Sequence, residues 1–176
     1  MKKFITLLNI CTLMAFFGCT VPSGDYVTEH FPLSTGYYSI FVSDGMIVTV
    51  SDQVDDIVVS ANEAVMEKMH VELKNGRLRI YRNDFSFTYP TKTHVTLPYD
   101  PDLKTIEVNM DSEFHTDYGI EADEVKVKLD MDSKFYGYIL ADELELIANN
   151  DSEIPAYPYP KPYQTPFPQI SELQRG

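Results

Sequence analysis

Cysteine is almost missing from this chain: its 176 residues hold two, Cys11 and Cys19. No Gly-x-Gly triplet occurs anywhere, which excludes a dinucleotide fingerprint and a glycine loop that cradles phosphate. No Gly-x-Ser-x-Gly elbow is present either, so that signature of a serine nucleophile is absent. Beyond the N-terminal segment there is no apolar run long enough to cross a bilayer. Positive charge is scarce: 14 Lys and Arg face 27 Asp and Glu, a formal net charge of −13. A surface that negative argues against nucleic acid and anionic headgroups as partners. The four histidines, His30, His70, His94 and His115, stand singly and without metal-ligand spacing, and no cofactor is expected.

The N-terminus carries an export signal. Lys2 and Lys3 form a positive start, and residues 4–17 are apolar apart from Thr6, Asn9 and Thr12. A run this short, ending in a small residue, reads as a signal peptide over residues 1–18 rather than a membrane span. Its end, Phe16-Phe17-Gly18-Cys19, resembles the lipobox of bacterial lipoproteins, with Phe16 where leucine is usual. That resemblance makes Cys19 the expected site of lipid attachment. The alternative is an ordinary secretory signal cut near Gly18, which leaves Cys19 a free thiol. Cys11 lies inside the segment to be removed, so Cys19 has no partner for an intramolecular disulfide. Losing Lys2 and Lys3 takes the net charge from −13 to −15. The expected location is the cell envelope, facing the periplasm or the surface, with the outer membrane favoured and the lipid as membrane contact.

Residues 19–36, with Pro22, Gly24 and Pro32 and no periodicity, read as a tether. From Tyr37 the pattern becomes short β-branched and aromatic runs broken by turn residues. Ser43-Asp44-Gly45 and Asn75-Gly76 are tight-turn signals, and the second predicts a hairpin between Val71-Glu72-Leu73 and Leu78-Arg79-Ile80. Asn62 predicts an N-cap for one short helical turn over 63–69. From Leu103 the chain repeats itself, with three strand-like runs that each end in Asp-Ser, at Asp111, Asp132 and Asp151. The nearly even spacing of these units, with alternating apolar positions inside each, predicts a short parallel β-helix or β-solenoid behind an N-terminal antiparallel hairpin region. A β-sandwich is the alternative. The domain runs over 37–154. Residues 155–176 hold six of the eleven prolines within 155–168 and read as a disordered or extended Pro/Tyr-rich tail.

The runs Ser39-Ile40-Phe41-Val42, Ile47-Val48-Thr49-Val50, Ile57-Val58-Val59-Ser60-Ala61, the stretch 71–80 and Val95-Thr96-Leu97-Pro98 carry a family resemblance. Together with the Asp-Ser units they resemble the auto-transporter adhesin head GIN domain lipoproteins of Bacteroidetes, over about residues 37–154. The family more often has Gly-Ser where this chain has Asp-Ser. The resemblance implies a right-handed β-helix-like fold on a lipoprotein and carries no established catalytic residues.

The expected role is a non-enzymatic binding, adhesion or scaffold module for a glycan or protein ligand. Tyr118, Tyr136 and Tyr138 are candidate exposed rings, whereas Phe114 and Phe135 repeat in register and read as core. Asp111, Asp132 and Asp151 are weak metal candidates, and turn residues capping local backbone are the favoured reading. The alternative function is a carbohydrate-active enzyme using surface carboxylates on a β-helix.

Overall fold

The computed structural model describes residues 24–83 and 92–154, and the expected leader, Cys19 and the tail 155–176 lie outside the described residues. Alternating apolar positions between turns give strands throughout: β1 (Tyr26–Phe31), β2 (Ser39–Val42), β3 (Met46–Ser51), β4 (Ile57–Asn62), β5 (Met69–Lys74) and β6 (Arg77–Arg82). They are followed by β7 (Thr93–Pro98), β8 (Thr105–Asn109), β9 (Glu113–Thr116), β10 (Ile120–Asp130), β11 (Lys134–Tyr136) and β12 (Ile139–Ala148). The one helix among the described residues is α1 (Glu63–Met66), whose first turn is capped by Asn62 accepting from the Ala64 N–H at 3.2 Å.

The strands form two mixed six-stranded sheets with no closed barrel, ordered β1-β4-β7-β3-β9-β11 and β12-β10-β8-β2-β6-β5. From β7 onward every strand lies in the opposite sheet from the one before it. The central pairings are parallel, and the antiparallel ones, β1–β4, β4–β7 and β5–β6, lie toward one end. The repeat spacing is the strand register: Val127 lies between Ile106, one unit earlier, and Leu146, one unit later.

Inward residues of both sheets share one core. Ile106, Val108, Val127, Leu129, Val48 and Phe114 are all fully buried. Each is worth about 1.5–3 kcal/mol relative to exposure, so the alternation that selects strands also supplies the stabilisation. Phe114 and Phe135 stack in adjacent strands, centroids 5.9 Å apart and planes 6° off parallel.

Two expectations change. The stretch read as a tether contains β1, which pairs antiparallel with β4 along its full length. Its pattern is faint because only Val27 and Phe31 turn toward the core, and neither is fully buried. The N-terminal region expected to be antiparallel hairpins is mixed, because β2 and β3 lie in different sheets and each pairs in parallel with its neighbours. Both strands are buried on their inner face and flanked by two neighbours each, so Ser43-Asp44-Gly45 carries the chain from one sheet to the other. The hairpin that does form is β5–β6, around Asn75 and Gly76 at φ 52° and 71°.

Candidate functional site

The Asp-Ser units stack at one corner of the molecule. Met110-Asp111, Met131-Asp132 and Asn150-Asp151 are paired left-handed residues, with φ between 50° and 60°. Ladder bonds tie each turn to the next: Asp111 N–H donates to Met131 O at 2.8 Å and Asp132 N–H to Asn150 O at 2.9 Å. The aspartates are exposed, whereas Ser112 and Ser133 are fully buried. Ser112 Oγ accepts from the Gly45 and Met46 amides at 3.1 and 3.2 Å, and Ser133 Oγ donates to Asp130 O at 2.5 Å. Among the described residues no three His, Cys, Asp or Glu side chains are placed to hold a metal ion. Left-handed backbone at the residue before serine is a conformation that glycine adopts without strain.

At the other corner the chain crosses back from the first sheet to the second, and tyrosines collect there. Tyr38 precedes β2, Tyr99 follows β7, Tyr118 lies between β9 and β10, and Tyr138 lies between β11 and β12. Because β2, β8, β10 and β12 are neighbours, these four residues line one edge of the stack. Backbone bonds hold the row together: Lys104 N–H donates to Tyr38 O at 3.0 Å and Ile120 N–H to Tyr138 O at 2.9 Å.

Each ring has a definite seat. Tyr38 lies against Gly76 and Tyr138 against Gly119, where a β-carbon on either glycine would collide with the ring. Both glycines sit at positive φ, 71° and 77°, so the backbone conformation and the ring seat demand the same residue. Tyr99 and Tyr118 form a tilted pair with centroids 5.3 Å apart. The Tyr118 hydroxyl donates to Asp52 Oδ1 at 2.5 Å, and Gln53 Nε2 donates to the same oxygen at 2.6 Å. The Tyr118 bond, then the Gln53 bond, hold the Asp52 carboxyl below its ordinary range, and the same Asp52 contact raises the Tyr118 phenol. Tyr38, Tyr99 and Tyr118 are 46%, 40% and 38% exposed, so the rings present faces to solvent although their positions are fixed.

The floor of this corner is pinned by Asp100. Its carboxylate accepts from the Tyr37 N–H at 2.7 Å and the Asp102 N–H at 2.9 Å. Tyr37 is buried and donates its hydroxyl to Pro98 O at 2.7 Å; burial first, then the Asp100 charge, raises its phenol. Above this floor is an open recess of about 420 Å³ lined by Gly36, Tyr37, Tyr38, Asp102 and Lys104, with Lys104 Nζ 6.0 Å from the Tyr38 ring centre. A hollow of about 10 Å³, room for one water, lies among Tyr99, Leu103, Thr116 and Gly119.

The three tyrosines singled out from sequence therefore separate. Tyr118 and Tyr138 belong to this corner, whereas Tyr136 lies on the outer face of the first sheet, stacked on His115 at 4.4 Å. Tyr38 and Tyr99 were not legible as members. Their signal is a tyrosine within a few residues of a strand that enters the second sheet, and it emerges only once the sheets are known. His30 lies in β1, His94 in β7 and His115 in β9, whereas His70 stacks on Tyr81 at 5.2 Å.

The family model described as "Putative auto-transporter adhesin, head GIN domain" matches residues 36–156. No curated protein matches. Among solved structures, a "putative adhesin" from Bacteroides fragilis aligns with TM-score 0.61 at 14% identity, covering 74% of this chain and 63% of that one. A "putative adhesin" from Parabacteroides merdae aligns with TM-score 0.63 at 12% identity, over 76% and 56%. A "putative lipid binding protein" from Parabacteroides distasonis aligns with TM-score 0.49 at 19% identity, over 72% and 62%. The chain thus spans about three fifths of the length of these structures. No helix among the described residues is long and apolar enough to cross a membrane.

Proposed function

The chain belongs to the head GIN domain family, and from that premise we propose that it is a non-enzymatic binding module of the cell envelope whose ligand docks on the tyrosine corner. The ligand class is a neutral glycan. The observation that carries this reading is the fixed, solvent-facing Tyr99–Tyr118 pair at the same corner as a recess, lined by Tyr38 and Lys104, that is sized for one or two sugar rings. Tyrosine supplies a rigid apolar face at small entropic cost, while Asp102 and Lys104 supply a polar acceptor and donor within the recess. Anionic polysaccharide is disfavoured by the chain's charge of −13.

The alternating strands are read as a short solenoid that serves as a stiff scaffold, and the exposed aspartates of its turns as turn formers rather than metal ligands. Cys19 is proposed as the lipid-bearing residue that keeps the module at the outer membrane. An array of neutral oligosaccharides tests the ligand reading. Binding that falls at least about tenfold in Tyr99→Ala and in Tyr118→Ala, about 1.4 kcal/mol each, supports it. Binding by both variants equal to the parent places the ligand elsewhere.

A further inference from the structure

The second sheet is under-covered at both of its ends. Val71 and Leu73 of β5, at one end, pack against the core but are only partly buried. So are Leu144, Leu146 and Ala148 of β12, at the other. Their neighbours one strand inward differ: Ile80 and Leu78 of β6 and Val127 of β10 are fully buried. Among the described residues nothing pairs with the outer side of β5 or of β12. Each edge is a template for another strand.

The backbones of the two edges match. Asn149 N–H donates to Leu129 O at 3.1 Å, so the odd-numbered groups of this stretch face β10. Backbone groups alternate along a strand, which turns the N–H and C=O of Leu144, Leu146 and Ala148 outward. In β5, Asn83 N–H donates to Lys68 O at 3.4 Å, and the β5–β6 register then gives the even-numbered residues to β6. Val71 and Leu73 therefore turn their backbone groups outward. On both edges the residues that offer backbone bonds are those whose side chains lie over the core.

Charge decides which edges meet. β10 and β12 carry seven carboxylates, four and three, against Lys126 and Lys128, and the register sets Glu124 beside Glu143. β5 and β6 carry Lys74, Arg77, Arg79 and Arg82 against Glu72. Two acidic ends repel and so do two basic ones, whereas unlike ends attract. We propose that the β12 edge is occupied by the β5 edge of a second copy of this chain, so that copies stack head to tail. Strands β6, β2, β8, β10 and β12 are mutually parallel, and β5 is antiparallel to β6. A copy that continues the second sheet in the same sense therefore lays its β5 antiparallel to β12. Setting Leu146 opposite Leu73 and Ala148 opposite Val71 closes the apolar row and brings Glu145 opposite Lys74. The two faces of this contact differ, so its repetition builds an open row rather than a closed pair.

Sedimentation velocity of the full-length protein tests this, with charge reversals at the two edges. Lys74 and Glu145 are both exposed, so neither reversal disturbs the core. The parent should associate reversibly into a series that lengthens with concentration. Lys74→Glu or Glu145→Lys alone should weaken association at least about tenfold, and both in one chain should restore it to within about threefold. Amide hydrogen exchange supplies a second readout: Val71, Leu73, Leu146 and Ala148 should slow together as concentration rises. A parent that stays monomeric up to about 1 mM overturns the proposal. So does a dimer that grows no further, or a double variant no better than the single ones. Protection at Leu146 and Ala148 that is independent of concentration assigns their cover to the same chain and overturns it as well.

Discussion

Ser112→Ala isolates what the Asp-Ser units do. Ser112 is fully buried, and its Oγ is an acceptor for the amides of Gly45 and Met46 at 3.1 and 3.2 Å. Gly45 keeps a second acceptor, Met110 O at 2.8 Å, so the loss falls mainly on Met46. Met46 is itself fully buried and water cannot replace the hydroxyl. Leaving one buried amide without this acceptor costs about 1–3 kcal/mol, while the volume lost in going from serine to alanine adds little. The expected loss is therefore about 2 kcal/mol, and at about 4 °C per kcal/mol for a domain of this size the melting temperature falls by about 8 °C. Urea denaturation followed by circular dichroism measures the loss, with the slope of the transition unchanged. A destabilisation below about 0.5 kcal/mol would refute the reasoning, since the buried serines would then be incidental to the turn ladder.

The partner residue of the unit should respond the opposite way. Asp132 is exposed at φ 60°, so Asp132→Gly relieves left-handed backbone and should stabilise by about 0.5 kcal/mol in the same denaturation assay. Calcium titrated by calorimetry into the parent should release no heat of binding at micromolar concentrations, and a tight site would return the aspartates to the role of metal ligands. Tyr118→Phe removes the hydroxyl that holds Asp52 low, so the Asp52 midpoint should rise toward 3.8 in a carboxyl-carbon NMR titration. The sign follows from linkage: a depressed carboxylate stabilises the fold above its unfolded pKa, and that contribution is lost as pH falls through the folded value. An unmoved midpoint would detach Asp52 from the tyrosine. Cys19→Ser should shift the protein from the membrane fraction to the soluble fraction, and retention on the membrane would remove the lipid anchor from the proposal.

Much of the fold was legible because its signals are periodic. The spacing from Asp111 to Asp132 to Asp151 reappears as the register of β8, β10 and β12. The Asn75-Gly76 hairpin and the Asn62 cap stand where the turn chemistry puts them. What escaped has physical reasons. β9 and β11 are too short for an alternation to register. β1 was hidden because one face is fully solvated and its inner face only half covered. Which sheet each strand joins depends on left-handed turns at Met110 and Met131, and methionine gives no hint of positive φ. The tyrosine corner is a consequence of that sheet assignment. Tyr38 and Tyr99 are far apart in sequence and share a corner only because β2 and β8, the strands they lead into, are neighbours.

The most direct test of the binding role is chemical-shift mapping on the labelled protein, using the strongest oligosaccharide ligand from the array. The expected perturbations centre on the rings of Tyr38, Tyr99, Tyr118 and Tyr138 and on Lys104, with the Asp-Ser corner silent. Perturbations confined to the outer sheet faces, such as the His115–Tyr136 stack, or no saturable shift at the tyrosine corner, would contradict it.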